Sequence, residues 1–163
     1  MLSVYKNLDT KNDCYTTPKS AYVSIKPYVP LNVSICDPFY YDGKCGTYMK
    51  EVFDTSAIIH NDGDAFENIP QSDMIITNPP FTVKFKVLEY LVNLNRPFMC
   101  LLPVMSITTK SFRSVKDFED FQFIFPNGRI NFEKPDKKMK GAWFFSVWVC
   151  YKMNLDNTMI FAS

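Results

Sequence analysis

One histidine and five scattered cysteines are all the imidazole and thiol that this chain of 163 residues offers a zinc ion. Cys14, Cys36, Cys45, Cys100 and Cys150 contain no Cys-x-x-Cys pair, and their odd number and irregular spacing fit neither a zinc site nor a disulfide framework. Cys36, Cys100 and Cys150 sit inside apolar runs and read as small core residues. No segment approaches the roughly 18 uninterrupted apolar residues of a membrane span. Met1-Leu2-Ser3-Val4-Tyr5-Lys6-Asn7 has no apolar stretch behind a basic start, so a secretory signal is not expected. The expectation is an intracellular protein, in cytoplasm or nucleus, with no membrane partner. Internal repeats and low-complexity tracts are absent too.

What is present is globular: 47% hydrophobic, 16% aromatic and 21% charged residues, at a length that suits one domain with a sizeable core. A single domain over 1–163 is expected. The net charge is only +1, yet it is unevenly spread. Residues 1–81 carry six basic and ten acidic groups, and residues 82–163 carry twelve basic and seven acidic. The second half is the better match to a polyanion. Much of its excess comes from Arg129, Lys134, Lys137, Lys138 and Lys140, around one Pro/Gly/Lys loop that could equally be a solvated turn.

Short apolar runs alternate with helical patterns. Thr17-Pro18 reads as a helix start, with Thr17 as cap and Pro18 in the first turn, before Ala21, Tyr22 and Ile25. Leu31–Cys36 reads as a buried strand, 47–53 as a short helix, and Ala57–His60 and Asp73–Thr77 as strands. Val83, Val87, Leu88, Leu91 and Val92 recur at helical spacing. Phe98–Leu102 is a strand closed by Pro103, and another helix is expected over 112–121. Phe123–Phe125, Arg129–Phe132 and Trp143–Tyr151 are β-like, with Asn127-Gly128 suited to a turn between the first two. Strand–helix alternation followed by such strands predicts an open α/β sheet, mostly parallel and flanked by helices, with an antiparallel C-terminal edge. Ligands of such sheets lie outside the carboxyl ends of the strands.

Two segments at strand ends carry chemistry. Asp37-Pro38-Phe39-Tyr40-Tyr41-Asp42-Gly43-Lys44-Cys45-Gly46 follows the first strand. Thr77-Asn78-Pro79-Pro80-Phe81 follows Met74-Ile75-Ile76. The prolines of the second segment fix φ and withdraw two backbone donors, leaving carbonyl oxygens, an amide and an aromatic ring in one place. That segment resembles the Asn-Pro-Pro-Phe/Tyr loop of S-adenosylmethionine-dependent methyltransferases that modify the N6 amine of adenine. The first resembles their Asp-Pro-Phe-x-Gly-x-Gly cofactor motif, with Tyr41 standing where a glycine is expected.

The resemblance covers about residues 14–151 and implies the class I methyltransferase fold, which is Rossmann-like, with S-adenosylmethionine as cofactor. It implies catalytic roles for Asn78, Pro79, Pro80 and Phe81, the last stacking on the base. Toward the cofactor it implies Asp37, Phe39 and Gly43 in the first motif. Tyr15 and Thr17 lie in a Thr-Pro segment like the one that covers the methionine end in this family. Asn61 or Asp62 for the ribose, with Asp62 preferred on chemistry, and Asp64 with Ala65 for the adenine complete the set, the two aspartates being exchangeable and Asp-Gly-Asp also an ordinary turn. His60 reads as structural.

The substrate so implied is nucleic acid, DNA before RNA. Phosphate contacts are expected from Lys110, Arg113, Lys137, Lys138 and Lys140. Few residues remain to read bases, so no separate target-recognition domain is expected. Relaxed specificity, a single-stranded substrate, a homodimer or a partner subunit would compensate. A small phage or viral enzyme fits this compactness by resemblance. Two other readings use the same residues: transfer to a glutamine side-chain amide of a protein, and a non-catalytic binding subunit with this fold.

Overall fold

The computed structural model describes residues 15–39, 41–53, 57–61, 65–67, 69–133 and 144–163. Seven strands build one sheet: β1 (Ile35–Asp37), β2 (Ile58–His60), β3 (Met74–Thr77), β4 (Phe98–Pro103), β5 (Gln122–Phe125), β6 (Ser146–Tyr151) and β7 (Met159–Phe161). Their spatial order is β2-β1-β3-β4-β6-β5-β7. The first four are parallel. β6 runs antiparallel between β4 and β5, and β7 adds to β5 in parallel at the outer edge. The mostly parallel sheet with antiparallel pairing toward its C-terminal side is the expected architecture.

Side chains alternate across the strands and define two core layers. Ile35, Met74, Ile76, Met99, Leu101 and Trp148 face one side, where α1 (Lys19–Val23) and α2 (Lys44–Val52) supply Ala21, Tyr22, Cys45, Met49 and Val52. Cys36, Ile75, Cys100, Leu102, Val147 and Val149 face the other. There α3 (Lys84–Asn93) inserts Val87, Leu88, Leu91 and Val92, the stripe its spacing predicts. The short α4 (Val104–Ile107) and α5 (Lys110–Arg113) follow β4 on this side, with Phe112 buried.

Several local expectations fail for identifiable reasons. The strand expected from Leu31 begins only at Ile35, because Leu31 is exposed and Asn32 takes a left-handed φ of 59°. The cap of α1 is Pro18 rather than Thr17, and no side chain caps the helix. The helix expected over 112–121 breaks after Arg113, where Asp117 enters the left-handed region at φ 57° and only a single 3-10 turn follows. The hairpin expected at Asn127-Gly128 does not form. Gly128 does turn the chain at φ 86°, but 129–132 pairs with no strand, and only Glu133 makes an isolated bridge, to Thr16. That bridge ties the N-terminal Tyr15–Thr17 segment to the late part of the chain. Of the expected late strand, Trp143 lies outside the described residues and the strand starts at Ser146.

Candidate functional site

The carboxyl ends of β1, β2 and β3 come together through one residue. Asp37 ends β1, is only 2% exposed, and its carboxylate accepts from the Thr77 hydroxyl at 2.7 Å and the Phe39 amide at 3.1 Å, both on Oδ1. Its Oδ2 lies 3.6 Å from Nε2 of His60, the residue opposite it in register on β2. The Asn61 amide also donates to the Asp37 carbonyl, at 3.0 Å. Burial pushes the Asp37 carboxyl up to about 6, against the lowering influence of His60, the Thr77 hydroxyl and the Phe39 amide.

Thr77 is the last residue of β3, so the same bond anchors the Asn78-Pro79-Pro80-Phe81 loop to the first loop. The Asn78 side-chain oxygen is buried and has no hydrogen-bond partner among the described residues, and a buried, unpaired amide oxygen is costly. Beyond it, Phe81–Val83 forms one 3-10 turn, the Val83 amide donates to the Pro80 carbonyl at 3.1 Å, and the Lys84 ammonium donates to the Phe81 carbonyl at 2.9 Å. The Phe81 ring meets Phe144 at 5.5 Å and Phe132 at 6.1 Å, edge to face in both cases, and Tyr15 lies 6.0 Å from Phe132. Sequence reasoning does not find this aromatic group around the loop, because its members are far apart in the chain and only the fold joins them.

The first loop shows how Tyr41 is accommodated at a glycine position. Tyr41 itself takes the left-handed conformation at φ 43°, with its side chain exposed, and Gly43 follows at φ 79° as the cap of α2. The Asp42 carboxylate fixes this turn, accepting from the Lys44 amide at 3.1 Å and the Thr16 hydroxyl at 2.8 Å. Thr16 thereby draws the Tyr15–Thr17 segment onto the loop. Thr17 is buried. The cysteines near the site, Cys36 and Cys45, are buried thiols whose values burial raises to about 12 and about 11. They carry no sign of nucleophilic use.

Tyr15, Thr17, Asp37, Phe39, Gly43 and Asn78–Phe81 thus lie around the joined ends of β1 and β3. Ala65 is buried beyond β2, next to Phe66, whose ring packs on Tyr90 of α3. Asp62, Asp64, Lys137, Lys138 and Lys140 lie outside the described residues. Lys110 and Arg113 are exposed on α5, in the helical layer opposite the one that holds Phe81. Among the described residues no cluster of His, Cys, Asp and Glu could hold a metal ion.

Comparison with solved structures turns this geometry into a fold assignment. A protein of Listeria monocytogenes assigned to the class I S-adenosylmethionine-dependent methyltransferases superposes with a TM-score of 0.59. The match is 14% identical and covers 93% of this chain and 66% of that one. The precorrin-6y C5,15-methyltransferase of Geobacter metallireducens superposes with a TM-score of 0.54 at 9% identity, covering 86% of this chain and 95% of that one. The fold is that of the class I methyltransferases. No model of a known protein family matches the sequence. The type II methyltransferase M.EcoRI of Escherichia coli is 29% identical over 106 residues, which are 60% of this chain and 32% of that protein. The chain therefore corresponds to about a third of that relative. In a methyltransferase fold the ends of β1 and β3 are where a ligand belongs, at the carboxyl edge of the parallel strands.

Proposed function

We propose that this chain is an S-adenosylmethionine-dependent methyltransferase that acts on the N6 amine of adenine in nucleic acid, DNA before RNA. The observation that carries the reading is the buried Asn78 oxygen, without a partner among the described residues, at the start of a proline-stiffened loop. The sequence similarity to M.EcoRI, a type II methyltransferase, supports the same class.

The residues present fit the cofactor. The first loop combines a left-handed Tyr41 and Gly43 that bring backbone close with a buried carboxylate at the strand end. Asp37, Phe39, Gly43, Tyr15, Thr17 and Ala65 would hold S-adenosylmethionine, with Asp62 and Asp64 as its candidate ribose and adenine partners. When bound, it supplies an electrophilic methyl group on a sulfonium.

The chain's own residues treat the other reactant. An adenine amine is a poor nucleophile because its lone pair is delocalised into the ring. The Asn78 side-chain oxygen and the Pro79 carbonyl each accept one amine hydrogen, favour a pyramidal nitrogen and stabilise the positive charge that grows on it. No strong base is required, since the nitrogen becomes acidic once alkylated. Phe81 stacks on the base, and its edge contacts with Phe132 and Phe144 fix the plane of the ring. A base in a duplex must leave the stack to reach this loop. The Lys84 bond to the Phe81 carbonyl and the Thr77 bond to Asp37 keep the acceptors in place.

Affinity for nucleic acid is expected to come mainly from phosphate contacts. Lys110, Arg113, Lys137, Lys138 and Lys140 are the candidates, and a second copy or a partner subunit would add sequence choice. No helix among the described residues is long and apolar enough to cross a membrane. The test is transfer of labelled methyl to unmethylated duplex DNA, single-stranded DNA, RNA and bulk protein, followed by nucleoside and amino-acid analysis. Label on N6-methyladenine is expected. Label on glutamine, or binding of cofactor without transfer to any substrate, would reject it.

A further inference from the structure

His60 is a buried polar side chain that the proposed chemistry does not use. It ends β2 directly beside Asp37 and its side chain is 9% exposed. Nε2 lies 3.1 Å from the Phe39 carbonyl. A carbonyl can only accept, so Nε2 carries hydrogen in this arrangement. The backbone of Phe39 is then held on both sides of its Cα: its N–H by the Asp37 carboxylate at 3.1 Å, its C=O by His60. Phe39 is two residues from Tyr41, where the loop enters its left-handed turn. Helix α2 seats the imidazole from above. A Cβ on Gly46 would lie 2.7 Å from His60 Nδ1 and 2.9 Å from its Cβ, so the absence of a side chain at 46 is what leaves room for the ring.

We propose that His60 is a positioning residue for the cofactor, which sets the path of the Asp37–Gly43 loop by holding the Phe39 carbonyl, with Gly46 as the clearance that allows it. The inference rests on the reading of this loop as the S-adenosylmethionine site. Its contribution belongs to cofactor affinity and not to the acceptors at Asn78. A merely structural histidine would be replaced equally well by any side chain of its size. A positioning one requires a donor at Nε2.

The experiment is titration calorimetry of S-adenosylmethionine into the wild type, His60→Leu, His60→Gln, Gly46→Ala and the Gly46→Ala/His60→Leu pair, each checked for a cooperative thermal transition. His60→Leu should weaken cofactor binding by about tenfold, the size of one lost hydrogen bond of ordinary strength. His60→Gln, whose amide nitrogen can stand where Nε2 does, should recover most of it. Gly46→Ala should mimic His60→Leu by displacing the ring, and the double variant should lose no more than either single one. In turnover, the KM for cofactor should rise while kcat and the KM for nucleic acid hold.

Equal affinity in His60→Leu and wild type, equal loss in the Leu and Gln variants, or additive losses in the pair would each overturn the proposal while leaving the cofactor site intact. Absence of S-adenosylmethionine binding by the wild type would instead remove the reading of the loop, and this inference with it.

Discussion

Asn78 and Asp37 do opposite things with a buried oxygen. The Asn78 oxygen is left without a partner among the described residues, at a cost that a ligand donor would offset on the proposed reading. Replacing Asn78 by Ala should lower kcat by about 10²–10³, as loss of one transition-state hydrogen bond does elsewhere. Cofactor affinity, read by calorimetry, should stay within about twofold. Asp37 is oversupplied: two donors on Oδ1, and His60 beside Oδ2. Burial still raises its carboxyl to about 6, so the fold favours the protonated form. The stabilising contribution of that proton is complete below the unfolded value of 3.8 and is lost as pH rises through about 6. Asp37→Asn should therefore be more stable than wild type at pH 7–8 by up to about 3 kcal/mol, and the difference should vanish by about pH 4. Denaturant titrations across that range check it. A wild type that gains stability relative to the variant as pH rises would contradict the sign. The Asn78 loop is legible in the sequence because its chemistry is local to five residues. The Thr77–Asp37 bond is not, because it depends on register between strands that are 40 positions apart in the chain.

At the level of elements, apolar periodicity is enough where one face packs. The spacing of Val87, Leu88, Leu91 and Val92 locates α3 to within a residue, and truncating Leu88 to Ala should cost about 3 kcal/mol by denaturant unfolding, since the site is fully buried. Periodicity misleads where aromatic residues pack without regular structure. Phe112, Val115 and Phe121 are all buried, yet Asp117 turns the chain between them and no long helix spans them. Strand β7 has no signal in the sequence pattern. Met159 and Phe161 are exposed and Ile160 between them packs on the core, so the strand is held by that contact, by pairing with β5 and by Phe161 stacking on Phe125 at 5.1 Å. The loop after β1 reads as a cofactor segment from Asp37 and Gly43, with Tyr41 as its irregular member. The left-handed conformation of Tyr41 shows that a non-glycine residue follows this path, at a backbone cost of about 1–2 kcal/mol. Tyr41→Gly should relieve that strain and leave cofactor affinity within about threefold; a large gain in affinity would mean that Tyr41 obstructs the site.

For the whole molecule, the sheet order joins parts of the chain that composition treats separately. The acidic first half supplies Asp37, Asn78 and the loop after β1, and the basic second half supplies Phe132 and Phe144 against Phe81. Charge in that half should act through phosphates. Replacing Lys137, Lys138 and Lys140 by Ala should weaken nucleic-acid binding with little sequence preference and reduce the slope of log K against log salt by about 1 for each phosphate no longer neutralised. An unchanged slope would move the phosphate surface elsewhere. The fold class can be read from the order of motifs, because each motif sits at a strand end and strand ends share one edge of the sheet. The aromatic setting of the Asn78–Phe81 loop cannot, since it requires knowing that Glu133 bridges to Thr16 and so brings Phe132 beside Tyr15 and Phe81.

The most direct test of the account is single-turnover transfer of labelled methyl from S-adenosylmethionine to an adenine-containing oligonucleotide, with wild type and Asn78→Ala side by side at equal cofactor occupancy. The account predicts N6-methyladenine from the wild type and, at most, a trace from the variant. Equal transfer by both proteins would show that the unpaired Asn78 oxygen is not the acceptor on which the mechanism depends.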